Sequence, residues 1–153
     1  MRRRGPSKAI KDLGFRSGLE VTVNQQLKDH GIRFSYEGPL NTIRYIVPAK
    51  EHRYLADFLL GNGIIIEAKG MFSSDDRKKH LFIKQQYPQL DIRFLFMNAN
   101  NKLSKSSRTT YAMWCEKNGI KWCNKVIPDS WLEEVKQPKD LALIIETLKG
   151  FKK

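Results

Sequence analysis

The tripeptide Gly61-Asn62-Gly63 separates two stretches, 53–60 and 64–69, that read as the paired strands of a hairpin, and this turn constrains the chain more than any other feature. Asp57 lies four residues before Gly61 and Glu67 four after Gly63, so the two carboxylates are symmetric about Asn62. A regular connection makes them direct cross-strand neighbours, with Cβ atoms about 4.5–5.5 Å apart. Lys69 follows Glu67 by two residues, and the pleat returns it to the same face. The opposite face would carry Ala56, Phe58, Leu60, Ile64, Ile66 and Ala68, all apolar. A one-residue slip would turn the charges into the core, so this register is favoured.

Two carboxylates about 5 Å apart repel by roughly 3 kcal/mol at an effective dielectric near 20. A divalent cation offsets that repulsion, and oxygen ligands suit Mg²⁺ or Mn²⁺. Lys69 alone offsets part of it, which would make the cluster a structural ion-pair group near a sheet end. Geometry leaves both readings open. Chemistry favours the cation: phosphodiester hydrolysis needs neutralisation of developing charge, a positioned water and a nearby ammonium. The chain's charge supplies the reason for a polyanionic partner. Lys and Arg number 28 against 16 Asp and Glu, a formal charge of +12. The cations are spread along the whole chain rather than along one amphipathic helix, which favours nucleic acid over a membrane surface.

The rest of the chain reads as a single α/β unit with a mixed sheet flanked by helices. Residues 1–16, with six cations, two glycines and a proline, read as a mobile basic arm ahead of a single domain spanning 17–153. Ser17-Gly-Leu-Glu20 is a capping-box pattern, and Leu19, Val23 and Leu27 continue it as a helix to about His30. Residues Ile32–Tyr36 and Ile43–Val47 alternate as strands around the turn at 37–41. Ser73 opens a helix that lasts until Pro88, and Leu90–Phe96 is a further strand. A polar loop covers 97–108, Thr109 or Thr110 caps a short helix, Pro128 starts another, and an amphipathic helix covers about 139–149. No apolar run is long enough to span a bilayer, the basic start has no apolar stretch behind it and so does not read as a secretory signal, and Cys115 and Cys123 lack metal-site spacing. They read as reduced thiols of a cytoplasmic protein.

Several residues have two readings. Glu20 reads, from the residues alone, as the capping acid for Ser17, a reading that the resemblance below turns into a site role. Arg77, Lys78, Lys79 and His80 form either a solvated helix face or, at a helix start beside the hairpin, a DNA contact. Lys102, Lys105 and Arg108 are a similar case ahead of the next cap, and Arg16 and Ser17 join the DNA-binding set. His80 would also suit a proton donor near a phosphate, whereas His30 and His52 read as surface or satisfied residues. Trp114, Trp122 and Trp131 read as core or interface.

Asp57 followed by Glu67-Ala68-Lys69 resembles the PD-(D/E)xK nuclease signature, with Ala56 in place of its proline. A longer resemblance is carried by Phe15-Arg-Ser-Gly-Leu-Glu20, Tyr45-Ile-Val-Pro-Ala49, Asp57-Phe-Leu-Leu60, Asn62-Gly-Ile64, Ser74-Asp-Asp-Arg-Lys-Lys-His-Leu81, Leu90-Asp-Ile-Arg93 and Cys115-Glu-Lys-Asn-Gly-Ile-Lys121. Together these are similar to the phage endonuclease I family of Holliday-junction-resolving enzymes, as far as about Trp131. The apolar tail after Pro138 departs from the polar, basic tail of that family. The resemblance implies a restriction-endonuclease-like fold and a Mg²⁺-dependent endonuclease. Such an enzyme would cut four-way and other branched DNA, leaving 5′-phosphate and 3′-hydroxyl ends. Asp57, Glu67 and the Ala68 carbonyl would hold Mg²⁺ (or Mn²⁺). Lys69 would orient the attacking water or stabilise developing charge, and Glu20 would serve a second metal if one binds. It further implies a domain-swapped homodimer in which Glu20 reaches the other protomer's cluster across a bridge at 37–48, and a phage-encoded protein working in a bacterial host. A nuclease acting on ordinary duplex, flap or mismatch DNA, and a non-catalytic basic DNA-binding protein, are the competing readings.

Overall fold

The computed structural model describes residues 7–47 and 50–152. Its centre is the strand β5 (Ile64–Lys69), whose three successive isoleucines are all buried. An apolar run of this kind suits a strand covered on both faces rather than one with a wet side. Around it lies a mixed five-stranded sheet in the order β1 (Phe34–Tyr36), β4 (Phe58–Leu60), β5, β6 (Asp91–Phe96) and β7 (Trp122–Asn124). β4 is antiparallel to β1 and β5, whereas β6 and β7 run parallel to β5. The crossover between β5 and β6 is the helix α3 (Ser74–Gln86), with Ser73 and Asp76 forming a complete capping box at its start.

Phe58, Leu60, Ile64 and Ile66 face a core formed with Leu19, Val23 and Leu27 of α2 (Gly18–Asp29) and Trp131 and Leu132 of α5 (Asp129–Leu132). Leu59 and Ile65 face the other side. There they meet Ile43 and Tyr45 of β2 (Thr42–Val47), Tyr54 of β3 (Lys50–Leu55), and Ile144 and Leu148 of α6 (Pro138–Gly150). The phenylalanines Phe72, Phe94 and Phe96 pack with Tyr111, Ala112 and Cys115 of α4 (Tyr111–Lys117). Arg93 threads the sheet fully buried, its guanidinium held by Asp91 and Glu134 at 2.6 and 2.7 Å and lying over Trp131.

One expected strand is two. The stretch 53–60 breaks at Ala56-Asp57: β3 pairs with β2 in a separate two-stranded sheet, and β4 alone joins the main one. The break sends Ala56 into the same core as Leu59 and Ile65, not to the Phe58 face. The three-residue strand β7 carries no alternation long enough to reveal it in the sequence. In the segment read as an arm, residues 1–6 lie outside the described residues. Beyond them a short helix α1 (Lys8–Asp12) forms, and the Phe15 ring packs 4.7 Å from that of Tyr36.

Candidate active site

The hairpin turn holds the expected register. Phe58 pairs with Ile66 and Leu59 with Ile65, which continues to Asp57 opposite Glu67. The turn closes because Gly63 adopts φ +83° and because Asn62 donates to the carbonyls of Trp131 and Glu134. Asp57, just outside β4, replaces a ladder bond with its side chain: its Oδ2 accepts from the Ala68 N–H at 2.8 Å. Asp57 and Glu67 are 8% and 3% exposed, so both carboxylates are withdrawn from water.

Burial, followed by the charge of Glu67, pushes the Asp57 carboxyl up to about 8, against the Ala68 N–H, and Glu20 adds to the rise. Burial and neighbouring carboxylates both disfavour the charged form of an acid, and a positive charge placed beside such a pair would favour it. Glu67 has both oxygens engaged: Oε1 meets the Lys69 Nζ at 2.8 Å, and Oε2 accepts from the Tyr54 hydroxyl. Burial opposes the Lys69 charge, but Glu67 and Asp76 outweigh it and raise its pKa. Among the described residues no three His, Cys, Asp or Glu side chains converge as a ready-made metal cluster. The oxygen donors that do come together, two buried carboxylates flanking Ala68, still match the hard-cation chemistry of Mg²⁺ or Mn²⁺.

The Glu20 carboxylate bonds the chain one residue ahead of the helix cap rather than closing a capping box on Ser17. The Ser17 hydroxyl accepts from the Glu20 N–H, while Glu20 Oε2 accepts from the Arg16 N–H at 2.7 Å and from the Tyr36 hydroxyl at 2.6 Å. It is buried, and its charge bears on Asp57 within the same chain. Tyr36, wedged between the rings of Phe15 and Phe58, thus fixes one oxygen of Glu20. Arg16 pairs with Glu37 at 2.6 Å and remains largely exposed.

The charge run after the hairpin divides. Lys78 is exposed; Arg77 bonds the Phe72 carbonyl at 2.8 Å, and Lys79 lies over the Tyr54 ring. His80 is a correction to the surface reading. It is 2% exposed, set edge-on between the rings of Tyr54 and Phe94, with Nε2 lacking a partner. Burial, with the nearby charges of Lys79 and Lys69, holds its pKa well below the ordinary range, and the ring is withdrawn from the exposed face that Lys78 presents. The helical period explains the error: position 80 shares its buried stripe with Ile83 rather than with Lys78. Lys102, Lys105 and Arg108 are exposed on the loop that precedes the Thr110 cap of α4. Sequence reasoning missed Tyr36, Tyr54 and Asp76. The first two look like ordinary strand residues, and the third like a helix cap.

Comparison with known proteins identifies the family of the chain. The family model for phage endonuclease I matches residues 2–152. The chain is 50% identical over 132 residues to endonuclease I of Escherichia phage T7, covering 86% of this chain and 87% of that protein. It is also 50% identical over 139 residues to endodeoxyribonuclease 1 of Enterobacteria phage T3, covering 91% and 90% respectively.

Proposed function

The chain belongs to the phage endonuclease I family and is a nuclease, and from that premise we propose that it resolves four-way and other branched DNA junctions by paired, metal-dependent strand cleavage. The observation that carries the reading is the buried Asp57–Glu67 pair with Lys69 against it, in a chain of charge +12. Asp57, Glu67 and the Ala68 carbonyl would hold Mg²⁺ or Mn²⁺, which supplies Lewis-acid charge and a more acidic water at the scissile phosphate. Lys69, already ionised, orients the attacking water or stabilises charge as it develops on the phosphate. Glu20 is the remaining carboxylate, with one oxygen fixed by Tyr36, and is available to a second cation. The products are 5′-phosphate and 3′-hydroxyl ends. Exposed Arg16, Lys78, Lys102, Lys105 and Arg108 are suited to grip the phosphate backbone, with Ser17, Arg77 and Lys79 nearer the site.

The fold proposed is restriction-endonuclease-like, and the working unit is a homodimer formed by exchange across residues 37–48. In a single chain β2 folds back on β3, and α2 brings Glu20 to Asp57 of its own chain. Exchange would replace those contacts by their copies between protomers and set two composite sites side by side, as cleavage of opposing strands requires. The setting proposed is the cytoplasm of a bacterium infected by the phage that encodes the protein.

The test is incubation with a four-way junction and with linear duplex of matched sequence, with and without Mg²⁺. Paired nicks on the junction alone, requiring the metal, are expected. Equal cutting of both substrates would instead support a general duplex nuclease. Binding without cleavage would support a non-catalytic DNA-binding protein.

A further inference from the structure

Neither cleavage nor DNA contact uses His80, and its buried Nε2 has no hydrogen-bond partner among the described residues. Buried polar atoms are ordinarily satisfied, so an unpartnered ring nitrogen marks a place where a further group is accommodated. The His80 side chain lines a cavity of about 290 Å³ between the second half of α3, the start of β6 and the turn that follows α4. That volume is at the lower end of ligand pockets, which run from roughly 300 to 1,000 Å³. Leu90, Ile92, Phe94 and Ile120 supply apolar walls, and the Phe94 ring meets His80 edge-on at 4.7 Å.

The rim is cationic. Lys84 and Lys121 both line the cavity and are both exposed. Lys84 Nζ donates to the carbonyls of Asn118 and Gly119 at 2.6 Å each. Those bonds fix the side chain across α3 and the turn after α4, and leave a third N–H for another acceptor. Lys121 Nζ has only a loose pairing, 4.0 Å from Glu134. Asp91 also lines the cavity, but its oxygens are taken by Arg93 and Lys136, so the positive charge prevails.

We propose that this cavity binds a nucleoside monophosphate, with the base between the apolar walls, its edge on His80 Nε2, and the phosphate on Lys84 and Lys121. A flat base suits aliphatic and aromatic walls, and its ring nitrogens and amino groups match an imidazole that donates or accepts. A phosphate monoester, with about −1.5 to −2 charge at pH 7, occupies two ammonium groups where a carboxylate would occupy one. Asp57 and Glu67 do not line this cavity, so nothing in the site depends on the cleavage chemistry.

The experiment titrates the full-length protein with 2′-deoxyadenosine 5′-monophosphate, read by calorimetry and by ¹⁵N amide shifts. Chelator is present throughout, so that no metal ion bridges the phosphate to Asp57 and Glu67. Binding with Kd below about 1 mM is expected, with shifts concentrated at Leu90, Ile92 and Ile120. Deoxyadenosine and inorganic phosphate should each bind at least about tenfold more weakly, since each lacks one half of the recognition. Lys121→Glu should weaken the nucleotide about tenfold or more and leave deoxyadenosine within about twofold. His80→Phe, which keeps a ring and loses the nitrogen, should weaken both about three- to tenfold. Ile92→Trp, which fills the cavity, should weaken both further; if it fails to fold, Lys121→Glu, at an exposed side chain, decides alone. Alanine at Lys102, Lys105 and Arg108 together should leave nucleotide affinity within about twofold. No binding at millimolar nucleotide, or an equal loss in that triple variant, would overturn the proposal. So would inorganic phosphate or benzoate binding as tightly as the nucleotide with the same shifts.

Discussion

Replacing Asp57 by Asn removes an ionisable group from the core of the site while leaving its one side-chain hydrogen bond in place, since an amide oxygen can accept from the Ala68 N–H as the carboxyl does. The folded-state value for Asp57 is raised from 3.8 to about 8, by burial first and by the charge of Glu67 second. An acid with a raised folded pKa leaves stability fully present below 3.8, and that stability is lost as pH climbs toward 8, because the unfolded chain releases the proton first. At pH 7 the span above 3.8 corresponds to an upper limit of about 4 kcal/mol at 1.36 kcal/mol per unit. Relaxation of a coupled pair brings the expectation to roughly 2–4 kcal/mol, or on the order of 5–15 °C in Tm for a domain of this size. The assay is calorimetric unfolding in chelator at pH 4, 5.5, 7 and 8.5. Asp57→Asn should match wild type at pH 4 and exceed it increasingly up to pH 8.5. Mg²⁺ should then raise the Tm of wild type and leave that of the variant unchanged. A variant less stable than wild type at pH 7, or a difference that does not vary with pH, would refute the reasoning.

Gly63→Ala should destabilise by about 1–3 kcal/mol in chemical denaturation, because φ is positive there and the added methyl would lie 2.8 Å from Leu141 Cδ1. Replacing Lys102, Lys105 and Arg108 together by Ala should weaken junction binding and flatten its salt dependence. The slope of log K against log salt should fall by roughly one for each phosphate left without its cation, measured by fluorescence anisotropy across salt concentrations. His80→Asn, in contrast, should leave that slope unchanged, since the ring is buried.

The register of β4 on β5 was legible because side chains alternate with period two, and the spacing of Asp57 and Glu67 about Asn62 admits few pairings. The break at Ala56-Asp57 was not legible. Arg53, Tyr54 and Leu55 continue the extended pattern without interruption, and only the pairing of β3 with β2 shows that they leave the main sheet. Exchange of partners between sheets is a tertiary choice that local propensity does not encode. The same limit hid Tyr54 and Asp76. A tyrosine in a strand and an acid at a helix start have sufficient local explanations, and their contacts with Glu67 and Lys69 arise from segments brought together only by the fold. His80 failed for the opposite reason: its neighbours in sequence are cations, whereas its neighbours in space are aromatic rings.

Asp57, Glu67 and Lys69 are proposed to form a cation-dependent site for phosphodiester cleavage. Its most direct measurement is single-turnover cutting of an end-labelled four-way junction in Mg²⁺ by wild type and by Glu67→Gln, with junction affinity recorded in parallel. Wild type should cut only with the metal. Glu67→Gln should lose at least about a thousandfold in rate with junction affinity retained, as removal of a metal-holding carboxylate would produce. Cutting by Glu67→Gln at the wild-type rate, or by wild type in the presence of chelator, would contradict it.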